Sequence, residues 1–419
     1  MTTLRLPTLA WYGMRELEVG LPDTWQVETL NMTGHDQPAL TPEQVRTALG
    51  NPSGCPAIRE LAQGKREVVI IFDDMTRATR TYDVLPHVLD ELAAAGIPDS
   101  SVRFICALGC HGSYTRDLFA KKLGEEVMRR FPVYNHNAFG NCIHVGRTET
   151  YGTEVYVNEE VMKCDLKIAI GSVVPHPMNG FGGGGKIILP GVTSFETTRD
   201  NHLSFYQMMA QPREHRIAGM GIFHDNLMRM DVEEAAALSG LDIMINCLMN
   251  TWGETTAVFA GALKPSYAAA VEAASAHYLT PQAQDADIAI ANTFAKANEA
   301  FIGAGIGYRS VRKGGDVVLV ANAPDGQVTH YLLGPFGNTS FAPLRQAGRV
   351  PSHVNRLIVF TAYPDLSSRS WFGESDRVRF VHDWNAVLEM LQEAHGAASR
   401  MVVYPNAEIQ YTDGGQRER

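Results

Sequence analysis

The chain has 419 residues with 36 basic and 46 acidic side chains, a formal net charge of −10, 45% hydrophobic residues and 38 glycines. That length allows two separately cored domains, and the composition fits an α/β enzyme and excludes a disordered or fibrous chain. The acidic balance argues against nucleic acid as a main partner, and no run is apolar over the roughly 20 residues that cross a bilayer, so no membrane partner is expected. The opening Met1-Thr2-Thr3-Leu4-Arg5-Leu6-Pro7 has no apolar signal core or cleavage site, which gives an expectation of a cytoplasmic protein. The six cysteines are scattered without a C-x-x-C pair; Cys106 and Cys110 lie beside His111, but Cys106 sits in an apolar run and reads as a buried small hydrophobe.

In chain order, Glu67–Phe72 is a short β-rich apolar run that ends in Asp73-Asp74-Met75-Thr76-Arg77-Ala78-Thr79-Arg80. A helical pattern follows around Val84 to Ala95. A guanidinium at a strand's carboxyl end suits bidentate recognition of a carboxylate or phosphate, and an Asp-Arg helix cap is the plainer reading of the same residues. Val102 to Leu108 reads as a second strand, leading into Gly109-Cys110-His111-Gly112 and a helix around Thr115 to Phe131. Leu166 to Gly171 is a third strand and Ile243 to Asn246 a fourth. Runs apolar on both faces, separated by helices, predict a mainly parallel sheet flanked by helices, with ligands beyond the strands' carboxyl ends. From about Pro265, a helix at Tyr267 to Tyr278 leads to strands at Ala286–Ala291, Asp316–Val320, Arg356–Thr361 and Arg377–Val381. The expected organisation is therefore an N-terminal α/β domain over 1–275, completed by 399–419, and a second α/β domain over 280–398. The substrate pocket is expected in the cleft between them.

The third strand runs into the most informative stretch, Pro175-His176-Pro177-Met178-Asn179-Gly180-Phe181-Gly182-Gly183-Gly184-Gly185-Lys186-Ile187-Ile188-Leu189-Pro190-Gly191, with Asn201-His202 shortly after. Gly180 to Lys186 spells G-x-x-x-x-G-K, but Ile187 replaces the magnesium-binding Ser or Thr and Pro190-Gly191 stops any helix, so a nucleotide P-loop is not expected. A lysine so placed can ion-pair with a phosphate or, with a depressed pKa, bond covalently. His111 and His176 would both leave carboxyl ends of one sheet. Two imidazoles of pKa near about 6.5 facing each other across a substrate form the geometry that a racemase or epimerase needs.

Asp73-Asp74-x-Thr76-Arg77, Gly109-x-His111, His176 with the glycine run and Lys186-x-x-x-Pro190-Gly191, Asn201-His202, Gly240–Asn246 and Val258–Gly261 together resemble the nickel-pincer lactate racemase family, through most of residues 1–275. The resemblance implies an isomerase acting on 2-hydroxyacids through a pyridinium mononucleotide whose two sulfur-bearing arms grip nickel. It implies that Lys186 tethers this cofactor, with Gly182, Gly183, Gly184, Gly185 and Thr76 around it, and that His202 ligates nickel. Histidine plus soft sulfur donors suit that metal. His111 and His176 then match the two general acid/bases, Arg77 the partner of the substrate carboxylate and Asp74 an acidic neighbour. Inversion would proceed by hydride transfer through a planar 2-keto acid, with the cofactor carrying the hard step. The implied partners are the 2-hydroxyacid substrate and cofactor maturation proteins, with a homo-oligomer allowed.

The chain departs from the family pattern in three places, the last of which bears on the substrate. The Thr-Pro usual after the first arginine is missing at Ala78–Tyr82, and Gly112 follows His111 where Arg is frequent. Glu299 and Ile302 stand near the places of a Gln and a Lys that contact lactate in the family. Glu299, Asn298 and Lys296 are therefore expected to hydrogen-bond hydroxyls of a longer, aldonate-type acid, with Trp371 walling the pocket or packing in a core. Two other classes compete. An NAD-linked dehydrogenase lacks its G-x-G-x-x-G after the first strand, and a non-catalytic hydroxyacid-binding protein would have no need of the histidine pair. His215, His224 and the charged tail Gln416–Arg419 read as structural or solvated.

Overall fold

A computed structural model describes residues 2–212, 218–337 and 348–412, so His215 and the tail Gln416–Arg419 lie outside the described residues. The chain divides into two compact units, one of Asp36–Ser275 and one of Met1–His35 with Ala276–Arg419.

The Asp36–Ser275 unit is built on a six-stranded sheet. Its order is Thr255–Gly261, Ile243–Met249, Leu166–Ser172, Val68–Asp73, Val102–Ala107, Val133–Asn135. All neighbours pair parallel except the first two, which are antiparallel. Alternation explains why every residue of Val68–Asp73 is buried. Val68, Ile70 and Phe72 join one core with Val84, Leu85, Val88 and Leu92 of the helix Thr81–Ala94. Val69 and Ile71 join another, with Val232, Ala235 and Ala236 of the helix Leu227–Leu238. A strand covered by helices on both faces has to be apolar at every position. The helix expected over Thr115 to Phe131 is broken into Arg116–Leu123 and Glu125–Arg130, because Gly124 adopts φ 91°, a left-handed value open to glycine.

The other unit has its own six-stranded parallel sheet, ordered Val378–Val381, Arg356–Phe360, Val311–Val320, Ala286–Asn292, Arg400–Tyr404, Gln26–Thr29. This corrects the expected domain boundaries. Arg400–Tyr404 pairs with Ala286–Asn292 and with Gln26–Thr29, so 400–404 completes the second sheet and the first 35 residues belong with it. The physical reason is again two-faced burial. Met401 and Val403 pack with Ile288, Ile290, Leu6 and Leu21, while Val402 and Tyr404 pack with Ala289, Ala291 and Leu30. No helix among the described residues is long and apolar enough to cross a membrane.

Candidate active site

In the Asp36–Ser275 sheet the chain moves one way from Val68–Asp73 through Val102–Ala107 to Val133–Asn135, then returns to Leu166–Ser172 on the other side of Val68–Asp73. The crevice between Val68–Asp73 and Leu166–Ser172 is thus the point where strand order reverses, where parallel α/β sheets bind ligands beyond the carboxyl ends. Asp73–Arg80 leaves one side of it and Ser172–Lys186 the other, and the His111 loop leaves the next strand.

The Asp73–Arg80 loop is wired from within. Asp74 Oδ1 accepts from the Thr76 amide at 2.8 Å and the Thr76 hydroxyl at 2.5 Å, and Arg77 donates to Thr76 Oγ1 at 2.7 Å. Thr76, implied as a cofactor contact, is fully buried and spends its hydroxyl orienting Asp74 and Arg77. Beneath the loop lies Lys122, which sequence reasoning missed. Its ammonium is fully buried and donates to the carbonyls of Asp74 at 2.7 Å and Arg77 at 2.9 Å, and pairs with Asp73 at 2.7 Å. The signal was local: Lys122 stands three residues after the buried Phe119, on the inward face of its helix.

His111 Nδ1 lies 2.5 Å from Asp74 Oδ2. Burial alone would raise the Asp74 carboxyl, but His111, then Arg77 and the Thr76 hydrogen bond, hold it down at about 2. An ionised Asp74 makes Nδ1 the donor, which leaves Nε2 as the basic nitrogen of the neutral ring. His176 is held differently. Its Nδ1 accepts from the amides of Met178 and Asn179, each at 3.2 Å.

The glycine run packs against protein on the sides that matter. A Cβ on Gly184, at φ +54°, would stand 2.3 Å from Arg229 and 2.5 Å from Tyr267. Most of its amides are engaged: Gly182 N donates to Val174 O at 2.7 Å, Gly184 N to Asn246 Oδ1 at 2.9 Å and Gly185 N to Glu233 Oε1 at 3.2 Å. Arg229 donates to Gly183 O at 3.0 Å, pairs with Glu233 and lies 3.6 Å over the Tyr267 ring. The close approach expected of a ligand to these glycines is, for Gly184, a close approach of the helix Leu227–Leu238 and of Tyr267. Gly184–Ile187 forms a single 3-10 turn that includes Lys186, with no helix of a P-loop kind after it. Asn246 accounts for the last residue of the Gly240–Asn246 motif; Arg229 and Glu233, spaced i and i+4, were not singled out from the sequence.

His202 sits in the helix Phe195–Met209, and its Nδ1 donates to Thr198 O at 2.8 Å. Burial, then the nearby charges of Lys186 and His111, pull its pKa down to about 3 against that hydrogen bond. The ring is therefore neutral at pH 7 with its lone pair on Nε2, the form that ligates a metal. Among the described residues no three His, Cys, Asp or Glu side chains gather as a metal site, so one imidazole beside Lys186 fits a metal whose other donors arrive with it. On these observations the residues fit the cofactor implied by the resemblance.

The remaining expected contacts belong to the other unit. Its strand order reverses between Ala286–Asn292 and Arg400–Tyr404, and the loops after those strands carry Lys296, Asn298, Glu299 and a residue the sequence did not flag, Glu408. Lys296 and Glu299 are buried and paired at 2.7 Å. Glu408 Oε1 accepts the amides of Phe294 and Lys296, both at 2.7 Å, and burial lifts its carboxyl to about 7. Trp371 is a core residue, stacked on Phe301 at 4.5 Å and 8°. His224 lies against Phe223 in a tilted ring contact, with centroids 4.1 Å apart.

Residues 12–215 match the lactate racemase N-terminal domain family. The chain is 28% identical over 335 residues to a lactate racemase of Thermoanaerobacterium thermosaccharolyticum, covering 78% of this chain and 76% of that protein. It is 28% identical over 291 residues to a lactate racemase of Lactiplantibacillus plantarum, covering 68% and 66%. The structure of the lactate racemase apoprotein from T. thermosaccharolyticum superposes with a TM-score of 0.74 at 22% identity, covering 98% of this chain and all of that one. A Thermotoga maritima protein superposes with a TM-score of 0.66 at 18% identity, covering 90% and 99%. Residues 12–215 thus match the lactate racemase N-terminal domain, and the chain is similar to two lactate racemases and has the fold of one of them along its length.

Proposed function

We propose that this protein is an isomerase that racemises or epimerises C2 of a 2-hydroxyacid, with a nickel-pincer nucleotide joined to Lys186 as cofactor. The observation that carries the reading is the Asp74–His111 pair at the strand edge that also bears Arg77, with neutral His202 beside Lys186. When bound, the cofactor takes and returns the C2 hydride. The chain's residues do the rest. Arg77 pairs with the substrate carboxylate, Asp74 fixes the His111 tautomer, and His111 and His176, each from its own loop, serve opposite faces of the substrate. His202 supplies a nickel ligand. Maturation proteins build the cofactor, and the cytoplasm is the compartment proposed.

The substrate proposed is a longer, polyhydroxylated acid of aldonate type. The support is the expected loss of a lactate-contacting cation near Ile302, together with the pairing of Lys296 to Glu299 within its own unit, which leaves that loop nearly neutral. Co-expression with a maturation system, followed by intact mass, nickel analysis and chiral assay of a 2-hydroxyacid panel, tests both parts. An adduct on Lys186 with about one nickel per chain and faster inversion of an aldonate than of lactate is expected. Faster inversion of lactate would sink the substrate assignment. A chain that takes up neither adduct nor nickel, beside a lactate racemase that does, would sink the reading itself.

A further inference from the structure

The helix Leu227–Leu238 turns three charged side chains inward. Arg229 is 4% exposed, Asp231 is fully buried and the Glu233 side chain is 14% exposed. Residues four apart share a helix face, and the one between them points elsewhere. Arg229 and Glu233 accordingly meet the glycine run together. Arg229 Nη1 donates to Gly183 O at 3.0 Å, and the Lys186 amide donates to that same carbonyl at 3.2 Å. Glu233 Oε1 accepts the Gly185 amide at 3.2 Å and pairs with Arg229. The carbonyl of Lys186 is tied as well, accepting from Gly191 N at 3.2 Å. Asp231 serves another neighbour. Its Oδ2 accepts from Asn201 Nδ2 at 2.7 Å and from the Thr153 hydroxyl at 2.9 Å, and its Oδ1 from the Thr148 hydroxyl at 2.5 Å. Asn201 immediately precedes His202 in the helix Phe195–Met209.

Resting on the proposed function for the roles of Lys186 and His202, we infer that Arg229 and Asp231 are positioning residues, through which one helix sets the Lys186 turn against the helix that bears His202. Lys186 lies in a short 3-10 turn, and the chain between it and the His202 helix passes through Pro190-Gly191, so local backbone alone leaves their spacing open. A rigid helix bonded to both removes that freedom. Stability does not explain the charges, because a buried ion pair seldom gains over apolar packing of the same volume. Direction does. The Arg229 fork reaches Gly183 O and Glu233 at once, which a lysine cannot match. Hydrogen bonds to the Asp231 carboxylate fix the rotation of the His202 helix where an apolar contact would let it slide.

The first test uses the full-length chain without cofactor. Amide hydrogen exchange on peptides covering 182–191 and 198–206 is compared among wild type, Arg229→Lys and Asp231→Ala. Arg229→Lys keeps the charge and loses the fork, so exchange across the lysine turn should quicken about tenfold while the strand Val68–Asp73 stays protected. Asp231→Ala should quicken exchange over 198–206 by about the same factor, and Asp231→Asn, which keeps an acceptor for Asn201, should restore it. Asn201→Ala cuts the same link from its other side and gives the reading where Asp231→Ala fails to fold. Unchanged exchange in either segment, or a change spread equally over Val68–Asp73, would overturn the inference. The second test follows co-expression with a maturation system. Arg229→Lys should lower the fraction of chains with an adduct on Lys186 about tenfold, whereas Asp231→Ala should keep the adduct and lose nickel to a chelator about tenfold faster. Adduct and nickel falling together in both variants, in step with melting temperature, would make these residues merely structural and overturn the inference. A wild type that takes up neither sinks the isomerase reading instead, and the exchange data still decide the positioning.

Discussion

Asp74 and Glu408 show how one side-chain type is driven in opposite directions by its neighbours. Asp74, among His111, Arg77 and Thr76, titrates near 2, below the ordinary 3.8. Its contribution to stability is present above about pH 4 and is lost as pH falls through 2, on the order of 2 kcal/mol. In Asp74→Asn that acid-side slope should disappear from urea melts taken between pH 4 and 2. The loaded variant should also lose about 10³-fold in kcat, because the amide no longer fixes the His111 tautomer. Glu408 is the reverse case. Its folded carboxyl titrates near 7 against an ordinary 4.5, so the folded state is favoured most below about pH 4.5. That advantage, about 3 kcal/mol, is lost as pH rises through 7. Glu408→Gln should flatten the stability profile between pH 4.5 and 7 and melt higher than wild type above pH 7; an unchanged profile would show that burial does not control this carboxyl.

At the level of elements, two supports hold the loops that carry the candidate site residues. Lys122 joins the helix Arg116–Leu123 to the carbonyls of Asp74 and Arg77. Lys122→Met would leave Asp73 buried without its cation, so a loss of about 3–5 kcal/mol is expected in chemical denaturation. The second support is the helix Leu227–Leu238 under the glycine run. Gly184→Ala would press a methyl into Arg229 and Tyr267 at a left-handed backbone position, and a loss of about 2–4 kcal/mol is expected. A drop in melting temperature under about 2 °C would contradict that packing. The central strands were legible because a two-faced apolar run such as Val68–Asp73 has few other uses. The break at Gly124 and the inward Lys122 were not, since a helical pattern extends through both until the backbone angle and the buried carboxylate are known.

On the scale of the whole molecule, each unit owns its sheet and its cores. The segment 36–275 contains all six strands of its sheet, so expressed alone it should fold cooperatively, as dispersed amide NMR signals would report. The segment 276–419 alone lacks the strand Gln26–Thr29 and the hairpin Thr2–Thr8 with Arg15–Leu21, whose Leu6 and Leu21 enter its core. It should therefore be poorly folded unless residues 1–35 are supplied. The reading that placed 399–419 with the first domain failed here, because a parallel edge strand carries no local mark of which sheet it will join.

By itself the sequence determined the α/β class and the central strands, which follow from local periodicity, and it offered Asp74, Arg77, His111, His176, Lys186 and His202 as candidates for the proposed chemistry through residue types at strand ends and the family resemblance. Which sheet each strand joined, what filled the space around Gly184 and which nitrogen of each histidine holds the hydrogen were decided only by tertiary structure. Each of those depends on a partner distant in the chain or on a backbone angle: Tyr404 beside Ala291, Arg229 and Tyr267 against Gly184, Asp74 on His111, and a turn that aims two amides at His176.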